Sequence, residues 1–429
     1  MSVLAFSHMP HLLPSFLTLL VVIAVARFFG FVFRCLNQPS VMGEVMGGIV
    51  LGPSVLGYFF PDYMGAVFHP DAMVFIRHIA ELGIALYLFV MGLEIDLHRL
   101  KKSARSAVAI SQASIILPFI LGIGLAMQLY SNYAPAGIGQ LEFSLFIGVS
   151  LSITAFPVLA RILADSNMHK TPLGDLALTC AAIDDISAWC LVAVVTGIMK
   201  SSLSGAGWTI ALTVFYVLFM IIVVRPYIER LIPRLEKSVE RLPQALLALA
   251  VLGALASAAL TDLIGIHAFF GAFLFGAIIP HESLVAREIT EKLQDFVAIL
   301  FLPAFFALTG VKTQLGLLAT GQDALICIAI IGLAILGKFG GAFIGAKISG
   351  SPTREAATIG ILMNTRGLVE LIVLNIGLSV GVLTPTLFTM LVIMALVTTF
   401  MTGPLLRLIR QTETVPVAPK PPSIFSSIF

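Results

Sequence analysis

Charge is scarce in this sequence. Of 429 residues, 25 are Lys or Arg and 23 are Asp or Glu, so only 11% are charged, whereas 59% are hydrophobic. Mean hydropathy is +1.03. That balance excludes a soluble globular domain and identifies a polytopic membrane protein. The formal net charge of +2 is too small to call for a nucleic acid or another polyanion as partner. Cysteine is sparse as well. Cys35, Cys180, Cys190 and Cys327 lack metal-ligand spacing, and the last three sit in apolar stretches. They read as small apolar fillers rather than disulfides or ligands. No basic n-region with a small-residue cleavage site opens the chain, so the first apolar stretch is expected to be a retained span. The sequence offers no nucleophile–base pair, metal cluster or phosphate loop. Neither an enzyme nor a bound cofactor is therefore expected.

What is abundant is apolar sequence of spanning length. Runs at 11–33, 41–59, 73–94, 106–130, 142–163, 176–199, 207–224, 243–260, 263–280, 296–318, 323–348, 355–379 and 385–406 predict thirteen transmembrane helices. The weakest separation is between the eighth and ninth, where only Thr261 and Asp262 intervene. Basic residues test the count. An outside N-terminus puts Arg34, Arg99, Lys101, Lys102, Arg105, Lys170, Arg225, Arg230, Arg234, Lys237 and Arg241 in cytoplasmic loops. Arg287, Lys292, Lys347, Arg354, Arg407, Arg410 and Lys420 join them, leaving Arg77, Lys200 and Lys312 on the other side. This is the positive-inside asymmetry, with the C-terminus cytoplasmic. The charged loop 225–242 divides the chain. With 207–224 as a linker helix, two six-span repeats remain, about 11–199 and 243–406, opposite in orientation because their starts are an odd number of spans apart. Together they form a membrane domain over 1–406, followed by a short proline-containing tail at 407–429.

Against this apolar background a few polar residues stand out. Asp184 and Asp185 are neighbours in the middle of the sixth run, which is otherwise uncharged from Leu176 to Met199. A central Asp costs about 2.5–3.5 kcal/mol on insertion scales. Two are tolerated if they face a water-filled cavity, bind a cation or pair with a buried base. Lys338, ten residues from Ile348 in the eleventh run, is such a base. On a helix, adjacent residues differ by about 100° in azimuth, so one Asp can face Lys338 while the other faces a cavity. The fifth run carries Thr154 and Pro157, and its counterpart, the twelfth, carries Asn364, Thr365, Arg366 and Gly367. Pro157 removes a backbone donor, and the Asn-Thr-Arg-Gly run weakens a helix at mid-membrane. Interrupted helices at matching repeat positions are the best sequence pointer to a transport site.

These residues belong to a pattern. The chain resembles the monovalent cation:proton antiporter superfamily, in particular its Kef-type and plant CHX-type branch. The resemblance covers nearly the whole chain. It rests on Gln38–Glu44 with Gly52-Pro53-Ser54, on Ala80–Gly83 running to Gly92-Leu93-Glu94, and on Thr154–Arg161. Asp184-Asp185, Gly271–Gly276 and Asn364–Leu371 complete it. It implies a panel of dimerisation helices beside a six-helix core in which two broken helices cross next to the acidic pair. It assigns the first Asp to the lysine and the second to the ion, and it implies an elevator-like access change. Kef-type relatives often carry an appended nucleotide-binding domain. Here 407–429 holds Pro416, Pro419, Pro421 and Pro422 and no Gly-rich fingerprint, so no such domain is expected on this chain.

The expected function is exchange of a monovalent cation, Na⁺ with K⁺ as the alternative, for protons. The expected setting is a bacterial inner membrane, as a homodimer. Asp185, Asp184 and Thr154 are the candidate oxygen ligands, and Lys338 is either a fixed counter-ion or a titrating group. The alternative for Thr154 is a hydroxyl bonded to its own backbone beside the proline. Arg366 and Glu370, spaced i, i+4, are expected to pair with each other, with Arg366 also placed to neutralise carbonyls at its own break. Glu44 and Glu81 read as structural or interfacial acids, and His267 as a satisfied core histidine. His98, His169 and His281 are weak candidates for pH tuning. Rival readings are a cation channel or a sodium-coupled symporter. A symporter needs a further polar pocket for its solute, for which few residues remain.

Overall fold

The computed structural model describes residues 12–94, 104–166, 168, 171–200, 203–236 and 244–411. Arg99, Lys101, Lys102, Lys170, Lys237, Arg241, His98, His169 and the tail 412–429 with Lys420 lie outside the described residues. All regular structure within them is helical. In chain order the helices are α1 (Leu12–Cys35), α2 (Ser40–Leu51), α3 (Leu56–Phe59), α4 (Pro61–Val67), α5 (Pro70–Leu93), α6 (Ala104–Tyr133), α7 (Gln140–Ser152) and α8 (Phe156–Asp165). Next come α9 (Pro172–Lys200), α10 (Leu203–Phe219), α11 (Arg225–Glu236), α12 (Gln244–Ile264), α13 (Ala268–Ala277), α14 (Leu284–Phe296) and α15 (Leu302–Lys312). The last four are α16 (Gly321–Ile348), α17 (Thr353–Met363), α18 (Leu368–Ser379) and α19 (Pro385–Gln411). Wide π-helical turns at Met220–Val224 and Val297–Phe301 join α10 to α11 and α14 to α15.

Among the described residues, eleven helical stretches, some joining successive helices as Ser40–Phe59 and Leu284–Leu318 do, are long and apolar enough to cross a bilayer, and the bent pair Thr353–Met363 and Leu368–Ser379, angled by 43°, makes a twelfth. The ninth predicted run, 263–280, is not among them by helix length alone. In place of 263–280 there is α13, ten residues long, or about 15 Å against a hydrocarbon core of about 30 Å. The break also falls elsewhere. Thr261 and Asp262 continue α12, which stops only where Gly265 turns left-handed at φ +100° and His267 caps α13. The apolar Leu263 and Ile264 had disguised the end of one helix as the start of the next.

The helices sort into two packed groups. In one, α6 and α16 cross, with α7, α8, α9, α17, α18 and α19 around them. In the other, α1, α2, α5, α12, α13 and α15 pack together, and α10 touches α9 of the first group and α12 of the second. Exchanging the two halves of the chain maps one set of contacts onto the other. The α1–α2 contact becomes α12–α13, α2–α15 becomes α13–α5, α6–α7 becomes α16–α17, and α6–α16 maps onto itself. This is the two-fold repeat of the sequence in three dimensions. Glycines set the crossings: a Cβ on Gly310 would lie 2.3 Å from the Val45 carbonyl, and one on Gly92 would lie 2.3 Å from the Phe273 carbonyl. Small residues permit such backbone approach between membrane helices.

Candidate functional site

Both predicted interruptions are present, and they meet. The fifth span breaks at Ile153–Ala155, which are extended, and Pro157 stands in the first turn of α8. The twelfth breaks at Asn364–Gly367. The Ala155 N–H donates to the Thr365 carbonyl at 3.1 Å, and Thr154 Oγ1 lies 3.1 Å from the Met363 carbonyl, so the two unwound segments touch. A Cβ on Gly367 would lie 2.6 Å from Val158 Cγ2, which keeps this position small.

Asp184 and Lys338 form a fully buried ion pair with Nζ–Oδ2 at 2.7 Å. Asp184 is saturated. It accepts from Ser111 Oγ, receives Thr154 Oγ1 at 2.7 Å, and has Ser114 Oγ at 3.2 Å. Lys338 also donates to the Ser152 carbonyl at 2.5 Å and lies 3.4 Å from Ser114 Oγ. Asp185 differs. It is equally removed from solvent at 2% exposure, but its Oδ1 has no hydrogen-bond partner among the described residues. The Phe156 amide at the start of α8 faces its carboxylate, and Tyr87 of α5 lies within its electrostatic reach. The pairing of two adjacent carboxylates thus splits as helix azimuth requires.

Arg366 and Glu370 pair at 3.1 Å, both fully buried. The guanidinium does not cover carbonyls at its own break. It donates instead to the Ser150 carbonyl at 3.1 Å and the Leu151 carbonyl at 2.6 Å, the last turn of α7. With Lys338 on the Ser152 carbonyl, two side-chain cations cap the negative end of this half-helix. The unwound backbone at Arg366 is served by one hydroxyl: Thr399 Oγ1 accepts from its N–H at 3.0 Å and donates to its C=O at 2.8 Å. Thr365 Oγ1 lies 3.4 Å from Thr402 Oγ1, and Asn364 Nδ2 reaches Met401 Sδ.

Two cavities lie on the seam between the helix groups. One, about 180 Å³, includes Ser40, Tyr87, Pro157, Arg161 and Leu368 in its lining. The other, about 310 Å³, has Arg77, Glu81, His267, Lys312, Asn375 and Ser379 among its lining residues. Along α15 and α18 they sit toward opposite ends, the first at Leu302 and Leu368 and the second at Lys312 and Ser379. Glu81 is therefore a cavity residue. Glu44 is buried in α2 with Arg27 and Arg34 as charged neighbours. His267 serves as an N-cap, and His281 Nδ1 bonds the Leu93 carbonyl at 3.1 Å.

Ser111, Ser114, Tyr87 and Thr399 were not anticipated. The i, i+3 pair Ser111–Ser114 in an apolar helix was the available signal. Thr399 carried none that separates it from Thr398, which bonds its own helix at Met394.

Comparison with known proteins agrees with this fold. The profile of the family described as "Sodium/hydrogen exchanger, transmembrane" matches residues 19–410. The Na(+)/H(+) antiporter NhaS4 of Synechocystis is 41% identical over 389 residues, covering 90% of this chain and 95% of that protein. Cation/H(+) antiporter 20 of Arabidopsis thaliana is 40% identical over 394 residues, covering 89% of this chain and 47% of that protein. K(+)/H(+) antiporter 1 of Saccharomyces cerevisiae is 35% identical over 387 residues, 88% of this chain and 44% of that protein. The chain thus spans about half the length of the plant and yeast relatives. In fold it is similar to the sodium proton antiporter MjNhaP1 of Methanocaldococcus jannaschii, with TM-score 0.68, 14% identity, and coverage of 92% and 98% of the two chains.

Proposed function

The chain belongs to the sodium/hydrogen exchanger family, whose named relatives are membrane antiporters and not enzymes, and on that premise we propose that Asp185 is the carboxylate at which a monovalent cation and a proton compete. The observation that carries this reading is the contrast between the two acids. Asp184 has its oxygens occupied by Lys338, Ser111 and Thr154, whereas Asp185 keeps a bare buried oxygen. A carboxylate withdrawn from water is costly while ionised and empty. A proton or a cation each neutralises it, and a neutral site can change its access side at low cost. That difference couples the two flows without covalent chemistry. Thr154 donates its one proton to Asp184 and retains a lone pair for the cation.

Na⁺ is the proposed cation and K⁺ the alternative. Both use oxygen ligands, and relatives are named for each. The proposed access change is an elevator-like displacement of the α6–α16 group along the α1–α2–α5–α12–α13–α15 group. The two cavities on that seam support it. The second group is the proposed homodimer surface, and no cofactor is required. The proposed setting is a bacterial inner membrane with the N-terminus outside and the C-terminus in the cytoplasm, with α13 and its flanks crossing as its repeat counterpart α2 does. Proton flux from proteoliposomes tests the reading, comparing Na⁺, K⁺, Li⁺ and no cation. Cation-dependent proton release is expected. Cation current without proton movement would instead indicate a channel, and cation-driven uptake of a solute would indicate a symporter.

A further inference from the structure

Four residues beyond Asp185, on the same continuous helix α9, stands Trp189. It is one of two tryptophans in the chain, and its side chain is 1% exposed. Its indole Nε1–H has no hydrogen-bond partner among the described residues. Buried indole N–H groups ordinarily find one, and a buried unpaired donor needs an explanation. The explanation is close at hand in the sequence. Asp185 Oδ1 is an unpaired buried acceptor on the same helix. Residues i and i+4 are neighbours on a helix surface, and long side chains lean back over the turn that precedes them. The Trp189 ring also spans the seam, 6.2 Å between centroids and tilted 33° from Phe273 of α13 in the other helix group.

We propose that Trp189 is a positioning residue of the ion site: its indole N–H donates to the Asp185 carboxylate when that carboxylate is ionised and empty, and the arriving cation displaces it. The proposal rests on the reading of Asp185 as the exchange carboxylate. The indole is a competitor for the cation and not a ligand. An N–H has no lone pair to offer a cation, but it stabilises a vacant anion that has left water. Binding then exchanges one neutraliser for another, and the same ring slides along Phe273 when the two helix groups shift.

A competitor that is removed leaves tighter binding. Trp189→Phe keeps an apolar ring and deletes the donor. Measured in proteoliposomes at a pH alkaline enough that protons no longer compete, its apparent KM for Na⁺ or K⁺ is expected to fall on the order of tenfold, the equivalent of one hydrogen bond to a charged group. Should Trp189→Phe not fold, β-(3-benzothienyl)alanine incorporated at position 189 replaces only the N–H by sulfur, and the same fall is expected. The second readout is intrinsic fluorescence in a Trp208→Phe background, Trp208 being 68% exposed on α10. The remaining indole is expected to change its emission on addition of the transported cation, and Asp185→Asn is expected to abolish that change. An unchanged or raised KM in a folded variant lacking the N–H, or emission indifferent to the cation, overturns the proposal. Retained exchange in Asp185→Asn would instead overturn the reading of Asp185 beneath it.

Discussion

Removing the charge of Asp185 without changing its size separates folding from transport. Asp185→Asn is expected to purify as a folded protein and to show no cation-driven proton movement, and full exchange in that variant would refute the site. Lys338 gives a different expectation. Lys338→Ala strips Asp184 of its counter-ion in a fully buried position, which costs about 3–5 kcal/mol. The melting temperature in detergent should fall sharply, and the double variant Asp184→Ser with Lys338→Ala should melt above the single one. Thr399→Val removes the single hydroxyl that satisfies both backbone groups of Arg366, at roughly 1–3 kcal/mol for each orphaned group. Thr399→Ser is expected to restore the loss. Of these residues, Asp184, Asp185 and Lys338 were legible in the sequence because charge in an apolar run is anomalous. Thr399 was not, because a hydroxyl in a membrane helix usually bonds its own preceding turn, as Thr398 and Thr196 do here.

Broken helices and glycine crossings carry the next expectation. The breaks were legible because Pro157 and the Asn364–Gly367 run are locally incompatible with a continuous helix. The partners of the freed carbonyls were not. Arg366 reaches Ser150 and Leu151 across more than 200 residues of sequence, and no local rule chooses that cap over the carbonyls at its own break. The crossings depend on backbone approach in the same long-range way. Gly310→Val sets a side chain where even a Cβ would lie 2.3 Å from a backbone carbonyl of α2. Strong loss of thermal stability and of detergent-extracted yield is expected. Gly332→Val on α16 is the control, since a Cβ there meets nothing within 4 Å, and it is expected to be tolerated. Equal tolerance of both would mean that α2 and α15 do not pack this closely.

For the assembled protein the testable quantities are orientation and net charge moved. With the four native cysteines removed, Arg234→Cys on α11 should resist a membrane-impermeant thiol reagent applied to intact cells, whereas Leu315→Cys should react. The reverse pattern would invert the proposed topology. Charge follows from the buried set. At the two broken helices, Asp184, Asp185 and Glu370 against Lys338 and Arg366 leave one negative charge when all are ionised, the buried Glu44 of α2 lying apart from them. If one cation replaces a proton at Asp185 and also breaks the Asp184–Lys338 pair so that Lys338 releases its proton, two protons move for one cation. Exchange is then electrogenic, responding with about 2.3 kcal/mol per net charge for each 100 mV. A reversal set by the two chemical gradients alone, unmoved by an imposed potassium–valinomycin voltage during Na⁺ exchange, would rule out the second proton.

The order of apolar runs, the quoted motifs and the isolated acids were enough to read an all-helical membrane antiporter with an acidic pair beside two broken helices. Those features are local: hydrophobic length, a proline, a misplaced charge. Burial, pairing and counting at the margin are not local. Where one helix ends and the next begins within 244–277 depended on a left-handed turn at Gly265 inside an apolar stretch. Which Asp is paired depended on where α6 and α16 bring Ser111 and Lys338. Adjacent carboxylates have the same composition and the same hydropathy. They acquire different surroundings only when a folded neighbour occupies one side of their helix and leaves an oxygen on the other side bare.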